Sequence, residues 1–106
     1  MKRGEIWLVR FDPSEGGEAR KTRPAVVVSA DEMNARLNRV QVVPLTSNVT
    51  KVFSTEARIN SAQQPSKASA NQLTTAAKHR GLSKLGQVTE VEMAAIERAV
   101  RRQLAL

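Results

Sequence analysis

No cysteine occurs among the 106 residues. Disulfide staples and thiolate metal sites are therefore excluded. There is one histidine, His79, so no cluster of imidazoles can hold a metal and no histidine pair can divide acid and base work. Tyrosine is absent, and the aromatic residues are Trp7, Phe11 and Phe53. So few rings argue against a surface that stacks many bases in a row. No apolar run approaches the length of a membrane span. The basic start at Lys2-Arg3 does not lead into a secretory apolar stretch, because Glu5 and Arg10 interrupt it. The expected location is the cytoplasm. Glycine-rich phosphate loops and nucleophile elbows are missing as well.

What the chain does have is positive charge. Lysine and arginine total 17 against 10 acidic residues, a formal net charge of +7. On a chain of this length, which predicts one domain over residues 1–106, that favours a polyanionic partner. Eleven of the cations are arginine, whose planar fork suits phosphate better than an ammonium does.

Taken in order, residues 4–12 read as a first strand with both faces covered. Asp12-Pro13-Ser14-Glu15-Gly16-Gly17 ends it with strong turn chemistry, and a long polar loop follows. Lys21-Thr22-Arg23-Pro24 then runs into four apolar residues. That short β-branched run predicts a strand over 24–29, buried on both faces. Pro24 suits the start of a strand and biases Arg23 toward extended backbone. A short helical turn is expected over 31–37 and a third strand over 39–45. Pro44 places a defect near its end, which should lie at an edge or bulge. Residues 53–59 alternate as a half-exposed antiparallel strand, with Phe53, Thr55, Ala57 and Ile59 on one, inward face and Ser54, Glu56 and Arg58 on the other. Residues 67–77 suggest one or two short strands. Thr89-Glu90-Val91-Glu92 is a capping box opening a C-terminal helix, whose apolar face carries Ala95, Ile96, Ala99 and Val100. The fold class is mainly β with helices: a small β-barrel or strongly bent sheet with a C-terminal α-helix.

Arg23, Thr46-Ser47 and Asn71-Gln72 all stand where strands meet loops. Arginine, threonine, serine, asparagine and glutamine do not make an efficient peptidase, but they can bind a phosphodiester and stabilise its transition state. RNA cleavage needs little more, because the substrate supplies its own 2′-hydroxyl nucleophile. The protein must align that hydroxyl and offset charge on the phosphoryl oxygens. An arginine fork serves the second task. Arg20, Lys21 and Lys51 are candidates for positioning phosphates. His79 is a candidate base by residue type, with no partner evident to orient it.

The elements Lys2-Arg3-Gly4-Glu5-Ile6-Trp7-Leu8-Val9, Phe11-Asp12-Pro13, Gly17-Glu18, Arg23-Pro24 with its valines, Val43-Pro44-Leu45-Thr46-Ser47 and Gln72 together resemble the MazF/PemK (Kid-like) toxin family of type II toxin–antitoxin systems. The resemblance runs through essentially the whole chain. It implies an SH3-like barrel of the MazF/CcdB kind with a C-terminal α-helix, and a homodimer. It implies a sequence-selective, ribosome-independent endoribonuclease that cuts single-stranded RNA (mRNA) without metal or other cofactor. The products would be 2′,3′-cyclic phosphate and 5′-hydroxyl ends. A labile MazE/PemI-like antitoxin would neutralise it through an acidic, extended segment.

The resemblance assigns the catalytic pair to Arg23 and Thr46, with Glu18 and Ser47 in support. A branch of the family uses an arginine and an aspartate in the later strand as acid and base. Aligned through Gln72, those positions are Ser69 and Asn71 here, and neither can do that work. Two other readings stand beside this one. A CcdB-like gyrase poison shares the fold, but this chain ends Arg102-Gln103-Leu104-Ala105-Leu106, without that family's Trp-Gly-Ile terminus. A non-catalytic nucleic-acid-binding module is favoured by net charge alone.

Overall fold

The valine-rich stretches at 26–27 and 40–43 lie in the two central strands of an antiparallel sheet. The computed structural model describes residues 1–11 and 22–106. Its strands are β1 (Glu5–Arg10), β2 (Thr22–Val27), β3 (Arg39–Thr46), β4 (Glu56–Ile59), β5 (Ser66–Ser69), β6 (Thr74–Ala77) and β7 (Gly81–Gln87). A short helix α1 (Asp31–Arg36) joins β2 to β3, and α2 (Glu90–Leu104) closes the chain. The strand order is β4-β5-β3-β2-β1-β7, with β6 also pairing β3. Among the described residues no helix is long and apolar enough to cross a membrane.

Period-two alternation divides the core between the two faces of the sheet. Ile6, Val26, Val43 and Leu45 join Ala57, Ile59 and Ala68 on one face, where Ile96 of α2 covers them. Val9, Ala25, Val27, Val40 and Val42 pack with Ala76 on the other, flanked by Met1, Trp7 and Phe11. The expectation that the second strand is buried on both faces therefore holds. Its limits differ: β2 starts at Thr22 and stops at Val27, against the expected 24–29. β1 extends the pairing backward through Arg23 opposite Val9 and Thr22 opposite Arg10. At the other end Ser29 leaves the strand, and its hydroxyl bonds Asn34 Oδ1 at 2.5 Å and accepts from the Gln41 N–H at 3.0 Å.

Pro44 is not at an edge. It is buried and lies opposite Ala25 of β2. On its other side, β3 pairs β6 through residues 39–42 and β5 through residues 45 and 46. Pro44 falls in the gap between these partners, where its missing N–H leaves no ladder bond unmade. One strand thus belongs to two sheet segments, which bends the sheet toward a barrel.

The capping box forms as expected. The Thr89 hydroxyl accepts from the Glu92 N–H at 3.1 Å, and the Glu92 carboxylate accepts from the Thr89 N–H at 2.9 Å. That carboxylate also takes the N–H groups of Asn60 and Ser61 and the Ser61 hydroxyl. The helix start is thereby tied to the β4–β5 connection. β7 was not anticipated, since its two glycines and exposed Leu82 break any alternation. It pairs β1 with two register shifts.

Candidate active site

Strand register brings Arg23 and Thr46 together. β2 and β3 pair as Ala25–Pro44, Val26–Val43 and Val27–Val42. The ladder ends at Ala25–Pro44; continued two residues further, the same register would set Arg23 opposite Thr46. The Val28 N–H donates to the Gln41 carbonyl at 2.9 Å, which fixes the alternation along the ladder. By that alternation Arg23 and Thr46 share one face of the sheet, at a position that makes no ladder hydrogen bond. Between them and the last assigned pair stands Pro24, which has no N–H to continue the ladder. The strand pair therefore opens at these two residues. Arg23 is exposed and Thr46 half-buried. The Thr46 hydroxyl accepts from the Asn48 N–H at 3.3 Å, turning the chain away from the sheet.

A buried ion pair underlies Thr46. Lys67 of β5 lies opposite Thr46. Its ammonium is 3.0 Å from Glu56 Oε1 and donates to the Lys51 carbonyl at 2.7 Å. Both charged side chains are nearly inaccessible, at 10% and 8%. Glu56 also accepts from the Ser69 hydroxyl at 2.9 Å and from the Phe53 N–H at 3.0 Å. Burial pushes the Glu56 carboxyl upward. The bonds from Phe53, Lys67 and Ser69 outweigh it and hold the group below its ordinary value. Glu56 is thus ionised near neutrality, a positioning group and a poor proton acceptor there.

The sequence candidates divide accordingly. Arg23, Thr46, Ser47 and Lys51 sit at the open end of β2–β3, Ser47 and Lys51 both exposed. Asn71 and Gln72 are exposed on a 3-10 turn over Ala70–Gln72, which packs against β3 beside the Pro44 gap. Ser69 is buried beneath the surface, with its hydroxyl committed to Glu56. His79 lies in a second 3-10 turn, Lys78–Arg80, next to Ala77, which pairs Arg39 at the far end of β3. At the usual rise per residue that is roughly 20 Å from Thr46. Glu18, Arg20 and Lys21 lie outside the described residues.

Sequence reasoning missed Lys67, Glu56 and the role of Phe53. The expected strand over 53–59 begins only at Glu56. A turn closed by the Glu56 N–H on the Phe53 carbonyl at 2.9 Å breaks the alternation. Phe53 is consequently 54% exposed, against an expected inward position. The one available signal was a lysine inside the small-residue run Ser66-Lys67-Ala68-Ser69-Ala70, every member of which is buried.

Two further carboxylates share the electrostatic pattern of Glu56. For Glu5, burial is outweighed by bonds from Trp7, the Lys2 N–H and Lys84, and the group falls to about 2 from 4.5. For Glu92, burial is outweighed by Ser61, Thr89 and Asn60, and the carboxyl is again lowered. A carboxylate lowered by folding contributes stability above its unfolded value and loses it as pH falls through the folded one. Urea unfolding should therefore give a flat free energy from pH 7 to 5 and a decline between pH 4.5 and 2. Glu5 alone accounts for on the order of 3 kcal/mol of that decline. Undiminished stability at pH 2.5 would refute the assignment.

The family model for PemK-like, MazF-like toxins of type II toxin–antitoxin systems matches residues 2–104. The chain is 42% identical to endoribonuclease MazF9 of Mycobacterium tuberculosis, across all of this chain and 98% of that protein. Among solved structures, an endoribonuclease in complex with its cognate antitoxin from a mycobacterial species superposes with a TM-score of 0.84 at 23% identity, covering 100% of this chain and 96% of that one. MazF from Deinococcus radiodurans gives a TM-score of 0.84 at 20% identity, covering 100% and 97%. At these identities the two structures establish a common fold, a bent antiparallel sheet with a C-terminal helix. The family model's span and the full-length identity to MazF9 together show that this chain belongs to the PemK/MazF-like toxin family.

Proposed function

We propose that the chain is the toxin of a toxin–antitoxin pair and acts as a sequence-selective endoribonuclease on single-stranded RNA such as mRNA. The observation that supports this reading is the β2–β3 register, which, continued past Ala25–Pro44, puts Arg23 and Thr46 on one face where the strand pair opens. The RNA 2′-oxygen forms a bond to phosphorus and gives up its proton. The bond from phosphorus to the 5′-oxygen breaks, and that oxygen takes a proton. The products are a 2′,3′-cyclic phosphate and a 5′-hydroxyl. No metal step enters, in keeping with the family resemblance.

Arg23 offers its fork to the non-bridging oxygens, where negative charge grows in the transition state. Thr46 bonds a phosphoryl oxygen or relays a proton. Ser47, Lys51, Asn71 and Gln72 border the same opening and position the flanking nucleotides. Ser69 acts from below through Glu56. Glu18, Arg20 and Lys21 precede Arg23 in sequence and are assigned to the same work. The chain acts as a homodimer in the cytoplasm, and the acidic segment of an antitoxin covers the opening. The net charge of +7 supports both polyanionic partners.

The test is incubation of the purified protein with a long RNA in EDTA, followed by mapping of the ends. Cuts at a short recurring motif, with cyclic phosphate on one side and 5′-hydroxyl on the other, are expected. Intact RNA after prolonged incubation overturns the proposal.

A further inference from the structure

Resting on that reading, we infer that Phe53, flanked by Lys51 and Lys67, is a stacking platform for an RNA base next to the scissile phosphate. Three observations converge. Phe53 is the one exposed aromatic among the described residues, with 54% of its surface accessible. Its backbone is pinned, because its N–H and its carbonyl both bond Glu56, at 3.0 Å and 2.9 Å. Its ring carries two ammonium groups, Lys51 Nζ at 5.1 Å and Lys67 Nζ at 5.7 Å from the centroid.

The location links the ring to the chemistry. Lys67 touches the Phe53 ring and is also the β5 residue opposite Thr46. The ring is thus one side chain removed from Thr46, within reach of the nucleotide adjoining the cut. Lys67 is buried and fixed by Glu56 and the Lys51 carbonyl. Lys51 is exposed and can turn from the ring to a phosphate of the same strand. An aromatic face beside a movable cation is what single-stranded nucleic acid requires, a surface for the base and a charge for the backbone. A solitary ring reads one base, which fits a chain otherwise poor in aromatics.

The test uses the full-length protein and a short RNA made resistant to cutting by a 2′-deoxy substitution at a mapped cut site, with 2-aminopurine beside it. The parent should quench the 2-aminopurine fluorescence on binding. Phe53→Leu keeps apolar bulk but removes the π face. It should weaken binding by about 10-fold or more and abolish the quench. Phe53→Trp should bind within about 3-fold of the parent and restore the quench. Because Phe53 is exposed, thermal melts of both variants should match the parent.

Parent-like affinity and quenching for Phe53→Leu overturn the inference, including the case where this ring instead serves a second copy of the chain or an antitoxin. A parent that cuts RNA while Phe53→Leu behaves normally leaves the nuclease reading standing and removes this one. A parent that neither binds nor cuts RNA removes both.

Discussion

Arg23→Ala is expected to lower kcat/KM for RNA cleavage by about 1,000-fold or more while leaving the fold intact. Removing one preorganised group that meets developing charge typically costs about 100- to 1,000-fold, and here the lost group carries a full positive charge and a bidentate fork. The fold should survive for a local reason. Arg23 is exposed, and its extended backbone is fixed by pairing with Val9 and by the Pro24 that follows. Neither constraint involves the guanidinium. Single-turnover cleavage with melting curves alongside separates the two effects. Arg23→Lys should recover only part of the loss, since a point charge cannot span two oxygens. Cleavage at the parental rate by Arg23→Ala would remove this residue from the site. Thr46→Val should also depress kcat, and Thr46→Ser should retain most of it if the hydroxyl is the working group.

The second large effect is expected at the buried ion pair. Lys67→Met should destabilise the protein by about 3–5 kcal/mol, because it leaves the Glu56 charge buried without its cation. Against a typical stability of about 5–15 kcal/mol, that is enough to shift the melting temperature by tens of degrees. The double variant Glu56→Leu with Lys67→Met should recover much of the loss, since a desolvated pair exchanged for packed apolar groups is often neutral. A double-mutant cycle in urea measures this coupling directly. Additive losses would mean that the two charges do not depend on each other. The recovered double variant should still cut RNA more slowly than the parent, because the platform beneath Thr46 and Phe53 has lost its fixed charge.

How much of this could be read beforehand differs from element to element. The C-terminal helix was legible in full, because Thr89, Glu92 and the Ile96–Val100 face are local signals three and four residues apart. The central strands were legible because β-branched runs have one common fate. The pairing of Arg23 with Thr46 was not, since register depends on partners 23 positions apart and on two prolines that interrupt the ladder. β7 escaped notice because its register shifts against β1 destroy the alternation that marks a strand. Phe53 was placed inward because the alternation from 56 to 59 was carried back across a turn that resets it. Residues 67–77 read as one or two short strands, with no signal that Lys67 is buried in a charge pair. Its burial is intelligible only with Glu56, eleven residues earlier and on the neighbouring strand.

The two prolines that flank the β2–β3 opening also bear on amide hydrogen exchange. Pro24 and Pro44 have no exchangeable amide, and both sit at the end of the strand pair that carries Arg23 and Thr46. Val26 and Val43, paired in the fully buried core, should exchange only when the whole molecule unfolds. The amides of the loop that follows Thr46 should exchange through small local openings. The steepest gradient of opening free energy would then fall along one strand within a few residues. Its rigid end anchors the sheet, and its labile end meets the substrate.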